Sequence, residues 1–488
     1  MDFKPIRNKI KRFTFDSLTN EILSLLKKIE NDKAIQLPFW HLLLLLKWNL
    51  EFCDKNFKAK VANRNDILQL LNQVEKLEVS HKIFNPSYGD FKINKAMTIL
   101  AHQQFLYQNI VYWDTFVRQL ILFDELKHKY CIKSSFEHLT KISLEVFLKI
   151  SFIIYLTSFI NSQYKSLHNN FVYKGYISKD VIDIIIQQFG KESFYNYFEL
   201  LSISKESIRE FIHNDNRIIR NYNLQPFEAS LFTRKPFFVN NGRYTIPYKD
   251  ILKHNFNHFI YEFMKNNDNK FTTELGLRLE KYVQMGLDEA NLDYESEKQL
   301  KKSLGKDEYL VDYVINGNIL VEIKAIELKP YASINPINEV LANEFRKNIV
   351  KGYAKQIINV AKKLKSNDVY YGIIITYRKL FLGNSNDIWE QFLKAESIKI
   401  CSSEDLKIVP YQNLFFVDIE SWDKLIQILK DRKIRLVDIL EKIKLTDSNR
   451  ETKKFNFSMH LEDDYKFNKY NLSYLAKSYK RMNLENEV

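Results

Sequence analysis

The chain has 488 residues, 45% hydrophobic and 27% charged, with 73 Lys+Arg against 60 Asp+Glu for a net charge of +13. That length holds two to four domains, and that balance excludes a disordered, collagen-like or low-complexity chain. Only 11 Gly and 9 Pro interrupt it, which predicts a helix-rich fold, and the basic excess points to a polyanionic partner. Cys53, Cys131 and Cys401 are odd in number and far apart, which argues against a disulfide framework or a cysteine zinc site and fits a reducing compartment. The apolar runs 41–46 and 151–160 fall well short of the roughly 20 residues of a membrane span. The N-terminal Met1-Asp2-Phe3-Lys4-Pro5 lacks an apolar signal core. The expectation is a soluble, cytoplasmic protein with no membrane segment.

In chain order, residues 19–210 read as helices. Ile22, Leu25, Leu26 and Ile29 recur at three- and four-residue steps, as do Ile67, Leu70, Leu71 and Val74. A turn is expected at 85–90, and longer helices at 98–128 and 136–164. This half, residues 1–216, shows no chemical motif and is left for recognition, assembly or regulation, through a second copy or a partner protein. Residues 217–271 read as a connector. Within it, two aromatic and β-branched runs flank Asn240-Asn241-Gly242, predicting a hairpin, and a helix follows at 249–265.

From residue 272 the pattern changes to helix (273–290), three strands (294–300, 309–315, 319–326), helix (337–364) and strand (369–377). Asn335 and Pro336 are placed to start the second helix. Another strand is expected at 414–417, then a helix at 422–429 capped by Ser421. The unit spans 272–445, and residues 446–488 form a charged, aromatic tail expected to pack loosely. The fold class is therefore α+β and multidomain, an all-α half followed by an αβββαβ unit with a mixed sheet.

Asp312, Glu322 and Lys324 are charged residues set within apolar strands. Burying charge costs several kcal/mol unless it is paired or metal-bound. Glu322 and Lys324, two apart, share a face. A two-residue loop at Asn316-Gly317 would set Asp312 and Glu322 on opposite faces, whereas the three-residue loop Asn316-Gly317-Asn318 opposes them directly. The three-residue loop, with Asn318 in the left-handed region, or a bulge near Asp312 is expected. Paired carboxylates with a lysine suit a hard cation and phosphodiester hydrolysis.

Asp312 followed by Glu322-Ile323-Lys324, in an αβββαβ order, resembles the PD-(D/E)XK nuclease superfamily, which has the restriction-endonuclease-like fold. The resemblance covers residues 272–377, with an extension to 429. It implies Mg²⁺ or Mn²⁺ held by Asp312, Glu322, the Ile323 carbonyl and Glu280 of the first helix, with Lys324 as the catalytic lysine. Gln356 is an accessory candidate. Two family positions differ, with Val311 where Pro is usual and Val360 where Tyr often follows the Gln.

On the second helix Arg346, Lys347, Lys351, Lys355, Lys362 and Lys363 lie off the apolar stripe, and Arg378 and Lys379 follow the next strand. Together they suggest a phosphate-binding face. His254 and His258 read as a polar helix face rather than a metal pair. Glu295 or Glu297 could assist the site, and Asp307 is a rival to Asp312 set too far from Glu322. The function expected is a metal-dependent nuclease, acting on DNA in restriction, phage defence or repair. The alternatives are an RNA-specific nuclease and a non-catalytic nucleic-acid-binding or assembly protein that keeps the fold.

Overall fold

The computed structural model describes all residues except 1, 33, 54–58, 81–92, 105–106, 108–110, 112, 160–174, 306–308, 365–368, 466–470 and 483–488, and the side chains of 93 and 94. The expected turn at 85–90 and Asp307 lie outside the described residues. The protein is α+β, about 66% helical, with two mixed sheets. Among the described residues no single helix is long and apolar enough to cross a membrane.

The first three long helices are amphipathic or apolar and close on one another. Phe15–Asn31 begins where the Thr14 hydroxyl accepts the Ser17 N–H, and Asn63 and Asp66 form a capping box for Arg64–Val79. These two helices and Phe39–Phe52 bury Ile22, Leu45 and Ile67 in a core that also takes in Phe232, Phe238 and Ile251. Trp113–Leu120, Leu144–Phe159 and Lys179–Leu201 enter a different core. There Phe116, Ile150 and Tyr197 join Leu279, Ile373, Trp422 and Leu475 in one cluster. Leu144–Phe159 is apolar nearly all round, so it must be enclosed, and it packs against Trp113–Leu120 and Lys179–Leu201, with Phe147 stacked on Phe259 and Phe152 against Tyr479 of the tail. The expected boundary at 216/217 is therefore not a packing boundary. The core changes near residue 110, and the expected connector contributes to both cores. The described residues of the tail are also packed, not loose. Phe457–Asp464 and Ser473–Tyr479 bury Leu461 and Leu475 completely.

The small sheet joins β1 (Ser202–Ile203), β2 (Phe237–Asn240) and β3 (Arg243–Thr245). β2 and β3 form the expected hairpin, with positive φ at Asn241 and Gly242. The larger sheet contains β4 (Tyr294–Ser296), β5 (Tyr313–Ile315), β6 (Ile319–Lys324), β7 (Tyr371–Thr376) and β8 (Leu414–Asp418), side by side in that order. β4 to β6 are antiparallel, and β6 to β8 are parallel. Helix α1 (Phe271–Glu289) covers one face through Leu279 and Val283, with Val321, Ile323 and Ile373 beneath. Helix α2, residues 338–364, covers the other through Leu341, Ile349, Tyr353 and Ile357, over Leu320 and Ile374. α3 (Ile419–Arg432) follows β8 and packs on α1, where Gly286 lets the Trp422 indole approach; a Cβ there would lie 2.7 Å from Nε1.

Several boundaries differ from expectation for local reasons. β4 stops at Ser296 because Ser296 and Gln299 form a capping box that starts the helix Glu297–Ser303. α2 begins at Asn338, since Asn335 instead closes a short helix, Pro330–Ile334. α3 is capped by Asp418, whose carboxylate accepts from both Ser421 N–H and Ser421 Oγ–H, so Ser421 lies inside the helix.

Candidate active site

The β5–β6 hairpin sets the site. Ile315 pairs with Ile319, Val314 with Leu320 and Tyr313 with Val321, so the loop has the expected three residues. Positive φ falls on Asn316 and Gly317, not on Asn318. The loop is a mirror-image Asn-Gly turn closed by Asn318 N–H to Ile315 O at 3.2 Å, with Asn318 as the additional residue. The Asn318 amide side chain donates to Val369 O and its carbonyl accepts from Tyr371 N–H, tying the turn to β7. Continued by one residue, the register opposes Asp312 and Glu322.

At that step the ladder gives way to side-chain bonding. The Asp312 carbonyl accepts from Glu297 N–H at 2.8 Å, while Asp312 Oδ2 accepts from Ile323 N–H at 2.7 Å. The carboxylate thus fills the gap where the strands part. Glu322 is 1% exposed, on the α2 face. One of its oxygens accepts from Lys324 Nζ, and the other, Oε2, is buried with no hydrogen-bond partner. Lys324 Nζ also donates to Gln356 Oε1 at 3.1 Å, and Gln356 Nε2 donates to Leu310 O at 2.9 Å. Gln356 therefore links α2, the lysine and the segment entering β5. Asn359 Nδ2 holds the same segment through Tyr309 O at 3.0 Å.

Electrostatics at the site are dominated by crowded acids. Burial raises the Asp312 carboxyl to about 6, against the Ile323 N–H bond and Lys324, which lower it. Burial and then repulsion from Asp312 push Glu322 well above the ordinary range despite Lys324. On α1, half-buried Glu280 is raised to about 7 by burial, then by Asp312 and Glu297. Among the described residues no three His, Cys, Asp or Glu side chains form a ready metal cage. Glu280 thus senses the pair electrostatically without completing a shell around it. The donor chemistry nonetheless suits a hard cation, with two opposed carboxylates, one bearing an unsatisfied buried oxygen, next to a main-chain carbonyl at Ile323.

Of three further contributors, one was assigned to the wrong element and two were not legible in the sequence. Glu297, expected on a strand, stands at a helix start facing Asp312, whereas Glu295 is exposed. The Ser296-x-x-Gln299 spacing was the available signal. Gly352 is the second: a Cβ there would lie 3.3 Å from Glu322 Cγ and 3.5 Å from Lys324 Cε. The third is the π-helical winding of Arg346–Val350 and Gly352–Ile357, a distortion often found at functional positions.

The basic residues divide. Lys351 and Lys355 both lie over the Tyr309 ring, 5.3 Å from its centroid, beside the site, and Lys347 is exposed on the same helix. Lys363, partly buried, also has a partner. Arg346 pairs with Glu396 and Lys362 with Asp405, each at 2.8 Å, so acidic partners exist that linear reading could not locate. Arg378 and Lys379 do not join this face. Arg378 is 12% exposed and pairs with Glu262 and Glu327 in the interior, and Lys379 meets Glu420 at 3.5 Å. They follow β7 at the end of the sheet, where the chain turns inward. His254 and His258 are not a solvated face either, because they line an internal cavity.

No family model, curated protein or solved structure matches this chain. Any functional reading rests on the geometry above.

Proposed function

We propose that the protein is a metal-dependent nuclease that hydrolyses phosphodiester bonds, with DNA as the expected polymer. The observation that carries this reading is the register that opposes Asp312 and Glu322, with Lys324 beside them and a buried Glu322 oxygen lacking a partner. The order of helix and strands around the pair supports the resemblance to PD-(D/E)XK nucleases. Asp312, Glu322 and the Ile323 carbonyl would hold Mg²⁺ or Mn²⁺, with Glu280 drawn in from α1. The bound ion would supply Lewis acidity to the phosphoryl group. Gln356, which accepts from Lys324 Nζ, would help hold the ammonium beside the cation site, where the lysine would orient water or stabilise developing negative charge. Lys347, Lys351 and Lys355 would contact the phosphate backbone alongside.

Plasmid and linear DNA are incubated with Mg²⁺ or Mn²⁺ and with wild type, Glu322→Ala or Lys324→Ala. Cleavage by wild type, reduced at least about a hundredfold in both variants, is expected. Equal cleavage by all three would refute the assignment. Salt-sensitive DNA binding without cleavage under any metal selects a non-catalytic binding protein, and a requirement for the 2′-OH selects RNA.

A further inference from the structure

A second site lies apart from the carboxylates. Beyond the carboxyl ends of the parallel strands β6, β7 and β8, a cavity of about 140 Å³ opens between the sheet-bearing unit and the helices that precede it. Asp312, Glu322, Lys324 and Gln356 are not in its wall. Crevices outside the carboxyl ends of parallel strands are a recurrent place for ligands. Its polar wall includes His102, Arg118, His254, His258, Arg378 and Lys379.

The wall holds as many acids as basic side chains, but the acids are already engaged. Glu262 and Glu327 both pair with Arg378, Glu262 also with Arg217, and Glu327 with Lys265. Glu228 takes Lys47 and the Ile219 N–H. The Asp418 carboxylate is spent on capping α3, and Glu420 lies 3.2 Å from Lys424. Against this, Lys379 reaches only Glu420, at 3.5 Å, among the described residues. His254 Nδ1 and His258 Nδ1 are buried without a hydrogen-bond partner, and His254 is 3% exposed. The titration of the wall agrees. Burial would raise Glu262, Glu327 and Glu420, yet Arg217, Arg378 and Lys379 hold all three below the ordinary range, Glu420 at about 2. His102, His254 and His258 are all lowered, first by burial and then with Arg378 contributing, His102 to about 4. The acids are thus held down by the cations they face, and Lys379, against burial, is in turn raised by Glu420 and Asp418.

We propose that this cavity binds a phosphate-sized oxyanion, free or as the phosphate of a mononucleotide, through Lys379 and His258. A fixed cavity with a buried, unpartnered imidazole nitrogen on His258, beside a lysine that meets one carboxylate at 3.5 Å, is matched by a compact anion rich in acceptors. The site is connected to the carboxylates through the chain itself. Glu327 lies three residues beyond Lys324 and is fastened to Arg378 in the cavity wall.

The test is titration calorimetry on the full-length chain in EDTA, so that the result is independent of the metal site and of any cleavage activity. Inorganic phosphate, thymidine 5′-monophosphate and thymidine are the probes. Saturable phosphate binding below about 10 mM is expected, weakened at least about tenfold by Lys379→Met and by His258→Leu, and unchanged by Lys407→Met, at an exposed lysine outside the cavity wall. Tighter binding of the monophosphate than of phosphate identifies a nucleotide, and equal binding identifies the free anion. Three results would overturn the proposal. They are no saturation by either anion, equal binding of thymidine, or phosphate binding that neither cavity variant weakens. Two cavity variants are used so that one failing to fold leaves the other.

Discussion

At neutral pH the acids around Lys324 oppose one another, and their protonation gives a measurable sign. The Asp312 carboxyl rises from 3.8 to about 6 on folding, so the folded state holds its proton more tightly than the unfolded chain. The stability linked to that proton is complete below pH 4 and is lost as pH rises through 6. Without divalent metal, Asp312→Asn should therefore stabilise the protein at pH 8 by up to about 3 kcal/mol, and hardly at all at pH 3.5. Calorimetric Tm against pH in EDTA checks this; a flat difference between the two proteins would contradict it. Glu322→Gln should act in the same direction, because its carboxyl is also raised. Added Mg²⁺ should reverse the order. Metal binding needs ionised carboxylates, so Mg²⁺ should raise the wild-type Tm at pH 8, do so progressively less below pH 6, and leave Glu322→Gln unmoved.

At the scale of elements, α2 determines how closely the helix approaches the acids. Gly352→Ala removes a helix-weakening glycine, worth up to about 1 kcal/mol. It also places a methyl 3.3 Å from Glu322 Cγ. Stability is expected to hold or rise while cleavage falls at least about tenfold. Gly276→Ala on α1 meets nothing within 4 Å and should gain stability with cleavage intact. Comparing Tm and kcat for the two variants separates crowding at the site from a general helix effect. On the same helix, Lys351→Ala with Lys355→Ala should reduce the salt dependence of DNA affinity by roughly one unit of slope per lysine. The Asp312–Glu322 opposition was legible because strand periodicity and a single loop length decide it. The helix at Glu297, the Gly352 approach and the pairing of Arg346 with Glu396 were not. A short strand yields to a capping box, and contacts between distant segments leave no local signature. Arg378 and Lys379 were misplaced for the same reason, since nothing beside them in the chain announces Glu262, Glu327 or Glu420.

For the whole molecule, the division that linear reading suggested does not coincide with the packing. Asp423 is fully buried and accepts from Arg118 Nε at 2.7 Å, Tyr282 OH at 2.9 Å and Tyr474 OH at 2.8 Å. Arg118 also pairs with Asp114 at 2.7 Å. One carboxylate thus joins Trp113–Leu120, α1, α3 and the tail. Asp423→Ala would leave a guanidinium buried with one partner fewer, and about 3–5 kcal/mol of destabilisation is expected, read from denaturant unfolding. A fragment of residues 217–488 should fail to fold, because Phe116, Ile150 and Tyr197 are missing from its core. Circular dichroism and limited proteolysis of that fragment decide the point. A folded fragment would restore the simple two-part division.

The tail contact has a consequence in time. Ser478 Oγ donates to Glu125 across 353 residues of sequence, and Arg481 pairs with Asp124 and Glu125. At roughly 5–20 residues per second of synthesis, about 20 s to a minute separates the making of the two partners. Throughout that interval the helices around Phe116 lack the segments that complete their core, and the sheet carrying Glu322 lacks its last supports. If the nuclease reading holds, the enzyme's catalytic strands are made before the segment that completes their support. Its activity would begin only after residues 472–482 have emerged and docked.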